Sequence, residues 1–374
     1  MQSGAFDGLI WSHLGGIGGG SNGETAFNVD ATGLKSALSS ATGTSSSAQQ
    51  LFAIGSAIAT NPGGGNDPIP TGAAAAPTPS GDSGMMLPAG AGGFLSGSSL
   101  DGSIAVGGGG GRADSRGMII AGGLDAPVGD GFTLGVSFAY SDVTTNLRAV
   151  PSSVQSNALQ GAVYARYDFA EHWIAEAFAG YGHQTVETRR LVVVGPTTFF
   201  LQGHTGGDAP SAGAYIGRSF GIATLSGETL TLIPSLSMQY SNSGIDQFTE
   251  TGGAPALTFA GFSSSSFMSR LGFDAHMTFD LAGLKVTPNV GAFWVDNFEG
   301  NNGTINAAFA AAPSAIMTFR TTARDRSYGA FNLGTSIDLG EFLGTEASLS
   351  GQYNADTRSD VSVEAWTGRL SIKF

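Results

Sequence analysis

Phe132-Thr133-Leu134-Gly135-Val136-Ser137-Phe138-Ala139-Tyr140-Ser141 alternates without interruption between a large apolar residue and a small one. An extended backbone sends successive side chains to opposite faces. Phe132, Leu134, Val136, Phe138 and Tyr140 therefore share one side, while Thr133, Gly135, Ser137, Ala139 and Ser141 share the other. Neighbouring stretches repeat the pattern and add charge to the second face. Leu159, Val163, Tyr167 and Phe169 oppose Gln160, Tyr164, Arg166 and Asp168, and Trp173, Ala175, Ala177, Ala179 and Tyr181 oppose Glu176. Further along, Phe267, Leu271, Phe273, Met277 and Phe279 oppose Arg270, Asp274 and His276. Leu284, Val286, Val290, Ala292 and Trp294 oppose Lys285, Thr287 and Asn289. In the last segment Trp366, Gly368, Leu370, Ile372 and Phe374 oppose Thr367, Arg369, Ser371 and Lys373. One face is apolar throughout, and the charges keep to the other.

Composition says what the apolar face meets. Only 12% of the 374 residues are charged, against roughly 25% in a soluble protein, too few to coat a large soluble surface. Glycine supplies 59 residues without a three-residue period or an excess of proline, which excludes collagen. The balance of 29 acidic to 16 basic residues, net −13, leaves no basic face for nucleic acid. Cysteine is absent, so disulfides, thiolate metal sites and cysteine nucleophiles are excluded. No apolar run approaches the roughly 20 residues of a membrane-spanning helix. The start Met1-Gln2-Ser3-Gly4 lacks the basic and apolar regions of a secretory signal, so an exported chain is expected to have had a longer or different beginning.

The connections separate a soluble sandwich from a membrane barrel. Tight links are expected at Pro127-Val128-Gly129-Asp130, Ala170-Glu171, Ser226-Gly227-Glu228, Ala282-Gly283 and Gly340-Glu341. Long excursions are expected between them, at 143–156, 186–206, 241–263 and 297–326. An up-and-down meander gathers all its short turns at one rim and all its long loops at the other, as outer-membrane barrels do. Greek-key sandwiches do not. Strands of about 10 residues suit a tilted crossing. Tyr140, Trp173, Tyr181, Tyr240, Trp294, Tyr353 and Trp366 fall near segment ends, where interfacial aromatic girdles belong.

The fold expected is therefore all-β: a transmembrane, antiparallel, up-and-down β-barrel of about 12 strands over 94–374. A Gly/Ser/Ala-rich extension over 1–93 precedes it, read as flexible linker or passenger remnant. Eleven strands are clear, at 117–126, 131–142, 156–168, 172–185, 210–221, 229–240, 265–279, 284–296, 328–338, 345–354 and 361–374. A twelfth, near Leu100 to Val106, is weak because Gly107 to Gly111 follow it at once.

Several stretches resemble the C-terminal β-domain of monomeric autotransporters, the type V secretion translocators of Gram-negative bacteria. They are Gly117-Met118-Ile119-Ile120-Ala121-Gly122-Gly123-Leu124-Asp125 leading to Leu134 through Asp142, Ala175-Glu176-Ala177-Phe178-Ala179-Gly180-Tyr181-Gly182, and Leu232-Ile233-Pro234-Ser235-Leu236 running to Phe248-Thr249-Glu250-Thr251-Gly252-Gly253. The ending Gly368-Arg369-Leu370-Ser371-Ile372-Lys373-Phe374 is similar to the family's C-terminal assembly signal, which Trp366, Leu370, Ile372 and Phe374 would carry here. The resemblance covers about 95–374. It implies a monomeric 12-stranded barrel with a helix in its pore, an N-terminal passenger carried to the cell surface, insertion by the barrel-assembly machinery, and a lipid surround. It further implies long loops outside the cell and a periplasmic C-terminus. Ser47 to Ala59, with Leu51, Ile54 and Ile58 on one face, is the candidate pore helix, with an ordinary marginal helix or disorder as its alternative. The extension shows no repeats of passenger type.

Arg166, Asp168, Glu176, Arg218, Arg270, Asp274, His276, Lys285, Glu346 and Arg369 are read as inward-facing, giving a lumen of mixed sign. That suits holding something in place better than selecting ions, which uses rings of one sign. None of the pairs among His13, His172, His183, His204 and His276 has helical metal spacing, and neither metal nor cofactor is expected. Asp274-x-His276 is too sparse to indicate a lumenal protease, and no enzymatic activity is expected. Gly107 to Gly111 and Gly18 to Gly20 lack the Lys-Ser/Thr of a phosphate loop. Arg189-Arg190 and Arg324-Asp325-Arg326 are read as solvated loop charges, with contact to anionic lipopolysaccharide as the alternative. An adhesin or surface antigen using its loops, and a passive porin, are the competing functions.

Overall fold

The computed structural model describes residues 91–106, 111–129, 131–147, 152–170, 172–194, 196–224, 228–298, 304–320, 327–342, 345–356 and 361–373. The helix expected over 47–59 and the terminal Phe374 lie outside the described residues. The regular elements among the described residues are all strands: β1 (Gly92–Val106), β2 (Gly111–Gly129), β3 (Phe132–Leu147), β4 (Ser152–Phe169), β5 (Trp173–Val194), β6 (Thr197–Arg218), β7 (Phe220–Ala223), β8 (Thr229–Ile245) and β9 (Phe248–Thr249). They continue as β10 (Leu257–Phe259), β11 (Phe262–Met277), β12 (Phe279–Leu281), β13 (Leu284–Asn297), β14 (Thr304–Phe309), β15 (Ala312–Arg320), β16 (Ser327–Phe342), β17 (Thr345–Asp356) and β18 (Val361–Lys373).

Twelve staves form a closed antiparallel barrel. β7 continues the line of β6 past Ser219, and β12 continues β11 past Thr278. Closure is made by β1, which pairs with β18 from Gly92↔Lys373 to Ile104↔Val361 and with β2 from Gly92↔Asp125 to Val106↔Gly111. The first strand is thus longer than the Leu100–Val106 stretch expected from sequence, and it is paired on both sides from Gly92 to Ile104. Closure leaves the barrel without sheet edges, so its backbone polar groups are satisfied with no help from water.

One hydrogen-bonded row runs Gly207, Gln184, Ala158, Ser141, Ile119, Ser98, Thr367, Gln352, Gly334, Asn289, His276, Thr231 and returns at Gly221. The gap between Gly207 and Gly221 on one stave is the stagger of the barrel, and it tilts the strands by roughly 40°.

The alternation sorts the wall as expected. Phe138 is 65% exposed and its neighbour Ser137 is fully buried. Outward residues include Leu95, Met118, Ile120, Val136, Leu159, Val163, Leu271, Phe331 and Leu333. An aromatic cluster marks the short-turn rim, with Phe132 edge-on to Tyr167, Tyr167 stacked on Phe169, and Phe169 stacked on Trp173. Tyr140, Tyr181, Tyr240, Trp294 and Trp366 are exposed on the same outer face, toward the long-loop rim. From Phe132 to Tyr140 the wall climbs roughly 20 Å along the axis, given a rise of about 3.3 Å per residue and the tilt above. That is close to the ~25 Å apolar band of outer-membrane barrels.

Several expected connections differ in the structure. The excursion at 186–206 is mostly strand, because β5 and β6 continue as one paired hairpin to Val194↔Thr197. Gly340-Glu341 is not a turn: β16 runs on to Phe342, and Gly340, with φ +67, sits at a bulge. The links at 241–263 and 297–326 supply β9, β10, β14 and β15, a separate four-stranded sheet. By contrast Ala282-Gly283 is a tight turn, with both residues at positive φ.

Candidate functional site: the lumen and its cap

Charge inside the wall collects near the short-turn ends of the strands. Arg166 is wholly buried and bridges β4 to β5. Its Nε and Nη2 donate to Asp168 at 3.0 and 2.7 Å, and its Nη1 donates to Glu176 at 3.3 Å. Arg166 and Glu176 are direct cross-strand partners, so β-sheet register alone delivers this pair. A second cluster involves β4 together with β1, β2 and β18. The Tyr164 hydroxyl donates to Asp125 at 3.0 Å, and the Arg369 guanidinium lies 4.8 Å from the centre of the Phe94 ring. Two glycines make room for those rings: a Cβ on Gly135 would stand 2.1 Å from Tyr164, and one on Gly123 would stand 2.4 Å from Phe94. Part of the glycine excess is therefore a lumen wall shaped to aromatic side chains.

Arg270, Asp274 and His276 are buried on one face of β11. Arg270 stacks on Phe293 at 3.6 Å, Asp274 accepts from Asn332 Nδ2 at 3.2 Å, and His276 is buried beside Asn289 in the register. Lys285 lies at the short-turn rim in register with Asp280 and Asp338, and Glu346 is in register with Lys373 at the same rim. Arg218 departs from expectation. It stands on the outer side of its stave, next to buried Gly217, with its guanidinium 5.5 Å from the Trp173 ring centre and 4.9 Å from that of Phe220. A guanidinium at an aromatic rim keeps its charge near water while its stem covers apolar surface. Of the assembly-signal residues, Trp366 and Leu370 are exposed on the outer face, and Ile372 is half-buried.

Above these charges the wall is neutral. Ser98 with Thr367, Ser115 with Thr145, and Asn297 with Ser266 hydrogen-bond across adjacent strands at 3.0, 2.9 and 3.3 Å. Gln184 Nε2 donates to Ser243 Oγ and to the Gly244 carbonyl, both at 2.9 Å. Met268, Phe293, Val295, Tyr328 and Ala330 form one apolar patch on the inner wall.

Beyond the membrane band, the β5–β6 hairpin carries a cap. β9, β10, β14 and β15 form its sheet, which joins β6 through reciprocal backbone bonds between Gln202 and Thr251 at 2.9 and 2.7 Å. Leu201, Leu257, Phe259, Ile305 and Ala307 are buried, and Phe248 stacks on Phe259. Arg190 grips Glu250 with Nε and Nη2 at 3.1 and 2.6 Å, and Glu250 also accepts from the Leu257 amide at 3.0 Å. Sequence alone reads Arg190 as a loose loop charge. Its partner lies 60 residues away, and only the continued strand parity of β5 places it inward. Asp125 likewise escapes a reading by charge pattern, although its parity with Ile119 and Ala121 puts it on the inner face.

A closed 12-stranded barrel with a lipid-facing apolar band and a polar, partly salt-bridged lumen is an outer-membrane protein. The autotransporter β-domain family model matches residues 93–354, and the chain belongs to that family, whose barrels are translocator domains. Among solved structures, it is similar to the translocator domain of the autotransporter NalP from Neisseria meningitidis, at 14% identity and a TM-score of 0.58, over 78% of this chain and 90% of that one. The transport unit of AIDA-I from Escherichia coli matches at 14% identity and a TM-score of 0.50, over 76% and 90%. The β-domain of BrkA from Bordetella matches at 16% and 0.50, over 76% and 100%. No curated protein matches the sequence.

Proposed function

We propose that this barrel anchors its own N-terminal segment in the outer membrane and conducts it to the cell surface. In this reading the short turns and the C-terminus lie in the periplasm, while the β5–β6 hairpin and its cap lie outside. The barrel acts as a monomer, with lipid around its apolar band and the barrel-assembly machinery as its insertion partner, and residues 1–91 are linker and passenger remnant.

The observation that carries it is where β1 begins. Gly92 is in register with Lys373 on one side and Asp125 on the other, at the short-turn rim. A segment joined there reaches the far side only through the lumen. The mixed-sign lumen favours conduction of a polypeptide over ion selection. The test is planar-bilayer conductance of the full chain against a chain deleted for residues 1–91. The full chain is expected to conduct weakly and the deletion to open it. A full chain already open and unaffected by the deletion would transfer the function to a passive porin.

A further inference from the structure

The lumen wall changes character along its length. Inward-facing charges sit near the short-turn ends of their strands: Asp125 close to the end of β2, Arg166 to that of β4, Arg369 to that of β18, and Glu176 close to the start of β5. Arg270 and Asp274 lie higher on β11, but Arg270 is stacked on Phe293 and Asp274 accepts from Asn332. In the long-loop halves, the inward residues are Ser137 to Thr145 on alternate positions of β3, Ser152 to Gln160 on β4, Phe178 to Thr188 on β5 and Gln239 to Ser243 on β8. Among the described residues none of these is charged until Arg190, which Glu250 neutralises in the cap.

This wall is also polar without being charged. Ser137, Ser241, Gln352 and Asn354 are buried on the inner face. Their hydroxyls and amides make the inner side of the wall neutral and polar. They offer an amide or hydroxyl many weak, equivalent partners. A side-chain charge finds no counter-charge along that stretch of wall, so any loss of its hydration there is poorly compensated.

We infer that the conduit is selective for an extended polypeptide of small, uncharged residues, with the short-turn charge belt as the last point at which a charged side chain is compensated. The inference rests on the barrel being a conduit for its own N-terminal segment. The sequence of that segment fits the wall: of residues 1–91 only Asp7, Glu24, Asp30, Lys35, Asp67 and Asp82 are charged, and none of 68–81 is.

The experiment uses the full chain with Ser3→Cys as a surface reporter, labelled on intact cells with an impermeant maleimide over time. In three variants Ala73, Ala74, Ala75 and Ala76 are all replaced by Ser, by Lys or by Glu. Ser is expected to label at the parent rate, and Lys and Glu at least about tenfold more slowly. Adding Ser241→Glu to the wall is expected to recover part of the Lys rate and to slow the Glu variant further, a sign dependence that misfolding does not produce. Equal rates for Ser, Lys and Glu overturn the inference and leave the conduit standing, as does slowing by Lys and Glu on which Ser241→Glu has no opposite effect. A chain carrying only the Ser3→Cys reporter that never labels from outside overturns the conduit itself.

Discussion

Arg166 on β4 and Glu176 on β5 are direct cross-strand partners whose side chains meet at 3.3 Å inside the wall, both buried. Breaking such a pair from one side is worse than never having built it, because the surviving charge stays buried alone. Arg166→Met strands the carboxylates of Glu176 and Asp168 together. A loss of about 3–5 kcal/mol is expected, read as a lower urea midpoint for the barrel in lipid. Glu176→Gln leaves Arg166 its Asp168 contacts and should lose less.

Gly135 lies beneath the Tyr164 ring, where a Cβ would approach to 2.1 Å. Gly135→Val must push the ring away and with it the hydroxyl that donates to Asp125. Overpacking of this kind costs about 1–3 kcal/mol. A smaller heat-modifiable fraction on detergent gels is expected, and Tyr164→Phe combined with Gly135→Val should add little further loss.

Val136 is exposed midway between Phe132 and Tyr140, at the centre of the apolar band, whereas Val193 is exposed on the hairpin beyond it. Arginine at the centre of a barrel's lipid face costs roughly 2–4 kcal/mol, and near or beyond the interface at most about 1. Val136→Arg is therefore expected to destabilise the barrel in bilayers, and Val193→Arg to leave the urea midpoint almost unchanged. Similar losses at both positions would misplace the membrane.

The cap is held by Arg190 and Glu250, 12% and 1% exposed. Glu250→Ala also leaves the Leu257 amide without its acceptor. The expected result is local opening: faster protease cleavage within 246–261, with heat-modifiable migration of the barrel retained. Unchanged cleavage would show that the backbone bonds between Gln202 and Thr251 hold the cap alone.

Sequence reasoning reaches the barrel because lipid forces a strict alternation, which Phe132 to Tyr140 of β3 and Trp366 to Ile372 of β18 display. It underestimates β1 for a physical reason. The outer face of β1 has Leu95, Gly97, Ser99 and Asp101, while Phe94 and Leu100 point inward, so its apolar signal is weak and inverted. Lumenal residues such as Arg166, Glu176 and Asp274 are legible from parity alone. Arg218 is not, because it stands with the outward residues and its aromatic partners Trp173 and Phe220 come from other strand segments. The cap escapes because its contacts join three distant links, and a two-residue strand such as β9 has no periodicity to read.

The central claim is that the chain preceding β1 reaches the outside through the barrel. Cysteine is absent from the sequence, so single substitutions report topology without background. Ser40→Cys, Ser314→Cys and Ala282→Cys place one thiol each in the N-terminal segment, on exposed β15 and in a short turn. With an impermeant maleimide on intact cells, Ser40→Cys and Ser314→Cys are expected to label, and Ala282→Cys only after the outer membrane is permeabilised. If Ser40→Cys labels only under the conditions that expose Ala282→Cys, the segment has stayed behind and the barrel is not its conduit.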